Sequence, residues 1–168
     1  WSVEMWLYNG MPADARAVAG YFFSRGVDGA EGAPGDHLGI GGTAGAADRL
    51  IFYNGNRLGA LLEGKTRLEL KTWYFVVLLR DGRRVSVYLN GNSDPEIAGE
   101  ADIAESGGPE QLFVGGRSDG FASFAGKIAE VAVYDRALSC EAIARHYAQG
   151  GGKPPISPGG NQPAPARS

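Results

Sequence analysis

The sequence predicts an all-β domain, built as an antiparallel sandwich of two sheets. Many short β-branched or aromatic runs are separated by Gly, Asp or Asn, and 27 of the 168 residues are glycine. This pattern is typical of numerous strands joined by tight turns. A chain of this length buries roughly two thirds of its unfolded surface, so a hydrophobic core can stabilise it. The single cysteine, Cys140, excludes an internal disulfide.

The first predicted strand covers residues 1–8 and alternates cleanly. Successive side chains of a strand point to opposite faces of its sheet. One face therefore carries only apolar residues, and the other is mixed: Trp1, Val3, Met5 and Leu7 against Ser2, Glu4, Trp6 and Tyr8.

Further strands are predicted at residues 17–25, 37–41, 49–54, 58–62, 67–70, 111–115 and 124–134. The clearest unit is a hairpin, with strands at 73–80 and 83–89 around Asp81-Gly82, a dipeptide suited to a type I′ turn. The first hairpin strand is apolar on both faces and is expected to be central. The second alternates, and one side of it is expected to face solvent.

The only predicted helix is Cys140–Gln149. Ser139 is placed to cap its first turn, and Gly150 can end it. Cys140, Ile143 and Tyr147 share one face and are expected to pack against the sandwich. Residues 151–168 hold five of the nine prolines and no apolar periodicity. We therefore expect a domain at 1–150 and a linker or disordered tail at 151–168.

Composition excludes several classes of partner. The net charge is −3 and the basic residues are scattered, which argues against nucleic acid. The longest apolar stretch, residues 73–79, is far shorter than the ~20 residues of a membrane-spanning helix. The chain starts within a strand pattern and without a signal sequence, so we expect it to be a piece of a larger exported protein.

Several stretches resemble one known family in order along the chain. They are WSVEMW, FSRG, TWYFVVLLRDG, VYLNG, LFVGG and FAGKIAEVAVYDRALSCEAIARHY. Over residues 1–149 the sequence resembles the laminin-G-like jelly-roll modules of the concanavalin A-like lectin and glucanase superfamily. The resemblance implies a jelly roll. The strand usually found upstream of the opening aromatic residue has no counterpart, so the N-terminal strand is expected to be missing.

One motif raises the possibility of catalysis. Glu100, Asp102 and Glu105 reproduce the E-x-D-x-x-E spacing of laminarinase-like glycoside hydrolases, in which two glutamates act as nucleophile and acid/base. In those enzymes the motif precedes the tryptophan strand and its hairpin, whereas here it follows them. The motif is therefore interpreted as a chance match in an edge strand or loop, and the chain is predicted not to be an enzyme.

Acidic residues in the loop before the third strand are candidate calcium ligands. Asp28, Glu31 and Asp36 could supply the oxygen atoms that calcium takes in irregular loops, and Asp119 is a further candidate. A solvated acidic loop is the simpler interpretation. Calcium is therefore kept only as a possible cofactor. His37 is expected at a strand edge.

Aromatic residues are the candidate ligand-binding groups, because sugars stack their C–H faces on aromatic rings. Trp6 and Tyr8 share a strand face with Glu4, and Tyr53 is a further candidate, although Trp6 also fits a core position. The favoured function is a non-catalytic, extracellular or cell-surface carbohydrate-binding module, whose partner is a glycan or an extracellular protein. The alternatives are a structural or adhesive spacer and, least favoured, a glycosidase.

Overall fold

The computed structural model describes residues 1–56, 61–103 and 110–152, which form ten strands and one helix. The elements are β1 (Ser2–Asn9), β2 (Val18–Gly26), β3 (Gly35–Gly42), β4 (Gly45–Asn54), β5 (Leu61–Glu63), β6 (Trp73–Asp81), β7 (Arg84–Leu89), β8 (Ile97–Glu100), β9 (Gln111–Val114), β10 (Gly126–Tyr134) and α1 (Cys140–Gln149). The predicted all-β class with one short helix is confirmed. Residues 58–60 of the strand predicted at 58–62, and the predicted tail from residue 153 onward, lie outside the described residues.

The strands form two five-stranded sheets. The first has the order β10-β1-β6-β7-β8, and the second has the order β5-β4-β3-β2-β9. Every pairing between these strands is antiparallel, and β1 lies between β6 and β10. The predicted two-sheet jelly-roll sandwich is therefore confirmed.

The inner faces of the sheets form the main core. Val3, Met5 and Leu7 are at most 1% exposed, as their alternation in the sequence predicts. They pack in the same cluster as aromatic and aliphatic side chains of the second sheet, including Phe22, Phe23, Leu38, Ile40, Leu50 and Phe52. Each such side chain contributes about 1.5–3 kcal/mol when it is fully buried.

The helix covers part of the outer face of the first sheet. Ile143 is fully buried and packs with Leu138 against Phe75 and Val77 of β6, the strand predicted to be covered on both sides. The Ser139 side chain accepts a hydrogen bond from the Ala142 backbone N–H at 3.2 Å, so the predicted cap is confirmed. A ten-residue helix is marginal in water by itself, and this docking stabilises it.

Two expectations from the sequence are wrong. Residues 67–70 form a loop, in which Leu68 alone is buried and its N–H donates to the Asp48 carbonyl at 2.7 Å. One buried residue between two exposed neighbours produces the same apolar–polar alternation in the sequence as a short strand does. The side of β7 expected to face solvent is also covered, because Ser86 is 7% exposed and Tyr88 packs in the cluster beneath α1.

One side of the sandwich, bounded by the edge strands β9 and β10, exposes apolar residues. Val114 lies opposite the buried Phe23, and Val133 lies opposite the buried Val3, so both belong to inner faces. They are nevertheless 52% and 53% exposed. No helix within the described residues is long and apolar enough to cross a membrane.

Candidate functional site

Three of the predicted ligand-binding residues lie in a row on the outer face of the first sheet. Glu4, Trp6 and Tyr8 alternate along β1 with its buried residues, as predicted. The Tyr147 ring of α1 stacks on Trp6 with centroids 5.7 Å apart, and the Phe75 ring lies 5.4 Å from Trp6 and 6.0 Å from Tyr147. Trp6 is therefore partly built into the packing between sheet and helix.

The helix ends directly beside Trp6. A Cβ atom added to Gly150 would lie 2.6 Å from Trp6 Nε1, so only glycine permits this approach. Beyond this point the sheet is uncovered, and Trp73 is 42% exposed. Its ring lies 5.5 Å from that of Tyr8, and the Lys127 ammonium lies 5.3 Å from the centre of the Tyr8 ring. These aromatic side chains form a partly exposed surface at the end of α1.

Two adjoining cavities, of about 320 and 300 Å³, lie at this place and together are called the helix-end groove. Glu130 and Gly150 line both cavities. The first, aromatic cavity is otherwise lined by Trp6, Trp73, Ala129 and Gly151, and the second, polar cavity by Glu4, Tyr134, His146 and Gln149.

The wall of the polar cavity is held by one buried carboxylate. Glu4 is 8% exposed, and its Oε1 accepts a hydrogen bond from the Tyr134 hydroxyl at 2.8 Å. Its Oε2 accepts one from His146 Nδ1 at 2.9 Å. These contacts link β1, β10 and α1, and they fix the His146 ring. Glu4 therefore has protein partners on both of its oxygens.

Glu130 differs from Glu4 because its carboxylate has no hydrogen bond or ion pair with any described residue. It lies in a β-bulge, where the register between β1 and β10 shifts at Met5. Its φ of 52° lies in the left-handed region, which is unfavourable for a residue with a side chain. Bulges turn side chains out of the regular alternation of a strand.

The fourth predicted residue, Tyr53, lies on the other sheet, so the four candidates do not form one site. Tyr53, Tyr21 and Phe121 surround the Arg117 guanidinium, whose central carbon lies 5.5, 5.1 and 4.6 Å from their respective ring centres. These four residues, with Asp119, are called the arginine cluster.

Arg117 is already neutralised within this cluster. Its Nε donates to Asp119 Oδ1 at 2.8 Å, and its terminal nitrogen donates to Oδ2 at 2.6 Å. The hydrogen bonds from Arg117 hold the pKa of Asp119 at about 2, well below its usual value. Asp119, a possible calcium ligand by sequence, instead forms a bidentate ion pair.

His37 lies beneath the arginine cluster, fully buried in the central strand β3 and not at the expected strand edge. Its Nε2–H donates to the Ala33 carbonyl at 2.7 Å, and the Ser24 hydroxyl donates to Nδ1 at 2.6 Å. Burial lowers the pKa of His37 from 6.5 to about 4. The imidazole is thus neutral at physiological pH, and it supports Tyr53 by stacking at 5.7 Å.

The structure does not bring the three predicted calcium ligands together. Asp36 is 3% exposed, and its carboxylate accepts hydrogen bonds from Arg80 Nε at 2.8 Å and Asn54 Nδ2 at 2.9 Å. Asp28 and Glu31 are exposed in the preceding loop. In the part of the chain that the structure describes, no group of three His, Cys, Asp or Glu side chains could hold a metal ion.

The E-x-D-x-x-E motif is described only in part, because Glu105 lies outside the described residues. Glu100 ends the edge strand β8 and pairs in register with Arg84. The Asp102 carboxylate lies 2.8 Å from an Arg83 nitrogen, and its carbonyl accepts a hydrogen bond from Arg80. Of the two described residues, Asp102 is therefore engaged in an ion pair and a backbone hydrogen bond, and Glu100 in strand pairing.

Comparison with known proteins identifies one family. The family model of the concanavalin A-like lectin/glucanases superfamily matches residues 1–144. No protein with a curated description matches the chain.

Solved structures share the fold at low identity. The carbohydrate-binding module, CBM40, of the Ruminococcus gnavus IT-sialidase, bound to α2,3-sialyllactose, has a TM-score of 0.60 and 19% identity over 86% of this chain and 80% of that chain. A Bacteroides ovatus protein of proposed carbohydrate-binding function has a TM-score of 0.57 and 20% identity over 84% of this chain and 39% of that chain.

Domain 4 of AbnA, an extracellular arabinanase from Geobacillus stearothermophilus in complex with arabinotriose, has a TM-score of 0.56 and 18% identity over 84% of this chain and 63% of that chain. The present chain thus spans less than two thirds of two of these three proteins. Identities of this size establish the fold alone.

Proposed function

Because this chain belongs to the concanavalin A-like lectin/glucanase superfamily, we propose that it is a non-catalytic carbohydrate-binding module with its glycan in the helix-end groove. The observation that carries the proposal is the exposed aromatic wall of Trp73 and Tyr8 beside a cavity lined by fixed polar groups. The two cavities give room for a short stretch of glycan.

The groove offers the two kinds of contact that a sugar needs. Trp73 and the free edge of Trp6 present apolar surface to the C–H face of a pyranose ring. His146, Gln149 and Glu130 supply donors and acceptors for its hydroxyl groups. His146 and Trp6 are held in place by their neighbours, so binding would cost little side-chain entropy.

The similar structures support the same class of function. The Ruminococcus gnavus module binds α2,3-sialyllactose, and domain 4 of the arabinanase binds arabinotriose. Each is described as one part of an enzyme, and the first is a carbohydrate-binding module, which favours a binding role for this chain within a larger polypeptide. The arabinanase is extracellular, and we extend that location to this protein.

A glycan array of the purified protein, with two matched variants, tests the proposal. Trp73→Ala is expected to weaken binding by about 1–2 kcal/mol, or roughly 5–30-fold, through loss of stacking. Phe121→Ala removes an aromatic side chain of similar exposure, 48%, from the arginine cluster and is the control. Binding that is lost in Phe121→Ala and retained in Trp73→Ala would place the glycan on the second sheet and contradict the proposal.

Calcium remains a proposal for the loop that contains Asp28 and Glu31, on the strength of oxygen ligands alone. A cation that binds only the folded chain raises its melting temperature. An equal melting temperature in excess calcium and in chelator would contradict calcium binding.

An adhesive role is the second candidate, favoured by the open side of the sandwich. Four apolar residues are 40–53% exposed there: Leu112, Val114, Val131 and Val133. Exposed apolar patches commonly mark protein interfaces. If this surface binds protein, Val133→Lys should abolish the interaction and leave glycan binding unchanged.

A further inference from the structure

The ionisable groups that line the helix-end groove are mainly acidic. Two carboxylates, Glu4 and Glu130, and one imidazole line its two cavities, and no described lysine or arginine does so. The Glu4 carboxylate accepts hydrogen bonds from His146 and Tyr134. The Glu130 carboxylate has no hydrogen bond or ion pair with a described residue, and Lys127 of the same strand contacts the Tyr8 ring. A ligand in the groove therefore meets the Glu130 carboxylate, a negative charge with no lysine or arginine beside it in the described lining.

The position of Glu130 is set by the backbone. The bulge in β10 places the residue on the boundary between the aromatic and polar cavities, and both are lined by it. Its left-handed conformation is one that glycine would adopt more easily. Unfavourable backbone conformations of this kind persist where the surrounding structure fixes them, often at ligand sites.

A carboxylate at such a boundary has definite chemistry. It is an acceptor with two oxygens, so it can receive one hydrogen bond from each of two neighbouring hydroxyls on a sugar ring. Hydrogen bonds to an ionised group are shorter and stronger than those between neutral groups. A sugar that carries its own carboxylate would bring a second negative charge close to Glu130, without a cation in the lining to offset it.

We propose that the helix-end groove selects uncharged glycans, and that Glu130 determines this selectivity by binding vicinal hydroxyls and repelling sugar carboxylates. The inference rests on the function proposed above and names the class of glycan. It separates this chain from the Ruminococcus gnavus module, whose ligand α2,3-sialyllactose is acidic.

Two matched pairs of immobilised probes test the selectivity. They are lactose against α2,3-sialyllactose, and β-1,4-mannotriose against the corresponding trimer of mannuronic acid. The array that tests the proposed function supplies a third pair, its best neutral oligosaccharide against the uronic acid counterpart. The neutral member of a bound pair is expected to bind at least about fivefold more tightly at low salt, because a like charge near 5 Å opposes the acidic one.

Two variants locate the effect. Glu130→Gln keeps the size of the side chain and should bring the ratio of neutral to acidic binding towards one. Glu141→Gln removes an exposed carboxylate from the first turn of α1, at the other end of the helix, and should leave the ratio unchanged. Denaturation curves of both variants check that each is folded.

Each outcome decides between the two proposals. Equal or tighter binding of the acidic members, or a ratio that Glu130→Gln leaves unchanged, overturns the selectivity and leaves carbohydrate binding intact. Failure of the folded wild-type protein to bind any oligosaccharide on the array contradicts the proposed function and this inference together.

Discussion

The helix α1 covers only part of the outer face of the first sheet. On the outer face of the second sheet, the side chains of the arginine cluster pack against one another. Both faces expose one large aromatic residue, Trp73 at 42% and Phe121 at 48%. Phe121 lies against an arginine whose charge is already paired with Asp119. Trp73 lies beside a carboxylate, that of Glu130, with no partner among the described residues. Exposed aromatic residues alone do not distinguish a binding face from a packed one, but the state of their polar neighbours does.

The largest loss of stability is expected when the docking of α1 on the first sheet is removed. Ile143 is fully buried against β6, so Ile143→Ala is expected to destabilise the domain by about 2–5 kcal/mol and to weaken the groove that the end of α1 encloses. Urea denaturation followed by tryptophan fluorescence measures the change. Val133→Ala, an exposed aliphatic position on the same sheet, should stay within about 0.5 kcal/mol of wild type. Equal effects of the two variants would mean that the helix is not docked as described.

The stability of the second face should depend on pH through His37. His37 has a pKa of about 4 when folded and 6.5 in an unperturbed chain. Above pH 6.5 both states are neutral, and between pH 6.5 and 4 only the unfolded state takes up the proton. Stability is therefore expected to fall as the pH falls through this window, by at most about 3 kcal/mol.

Comparison of wild type with His37→Gln isolates this contribution. Gln cannot titrate, so the difference in unfolding free energy between pH 7.5 and 4.5 should be about 2–3 kcal/mol larger in the wild type. Parallel pH profiles for the two proteins would show that folding does not lower the pKa of His37, and would contradict the burial of its ring.

The smallest change in stability is expected at Glu130, and the sign of this change tests whether the glutamate contributes to packing. Glu130→Gly relieves a left-handed conformation, so it should stabilise the domain by about 0.5 kcal/mol after the added chain entropy is subtracted. Ala132→Gly, two residues later in the regular part of β10, should destabilise it by about 0.5–1 kcal/mol. A loss of stability in Glu130→Gly would mean that the glutamate serves packing and not a ligand.

Most of the fold could be predicted because alternation is a local property of the sequence. Val3, Met5 and Leu7 are buried as their spacing indicates, and the hairpin around Asp81-Gly82 is where the turn residues place it. The strand predicted at 67–70 is wrong, because one buried residue, Leu68, satisfies the same pattern in a loop. Alternation cannot distinguish a strand from a loop with one buried side chain.

The candidate site was predictable only in part. Strand parity places Trp6 and Tyr8 on one face, but it does not reveal that Tyr53 belongs to the other sheet, because strand order depends on contacts between distant residues. The direction of the Glu130 side chain depends on a β-bulge, and no turn residue in the sequence indicates where this bulge lies. Trp73 begins the strand that is predicted to be central and apolar on both faces, and its exposure follows only from where α1 ends. These residues complete the groove, and the sequence pattern carries no local signal for them.

The pairing of β1 with β10 also affects how the chain folds during synthesis. Ser2 lies opposite Tyr134, and the Ser2 hydroxyl donates to the Arg136 carbonyl at 2.8 Å, across 134 residues. Contacts between such distant residues slow folding, since the intervening chain must first be brought together. At about 5–20 residues per second, a ribosome takes roughly 7–26 s to extend the chain from Ser2 to Tyr134. During that interval β1 lacks its neighbour β10, so one edge of the first sheet stays unpaired until the end of the domain has been made.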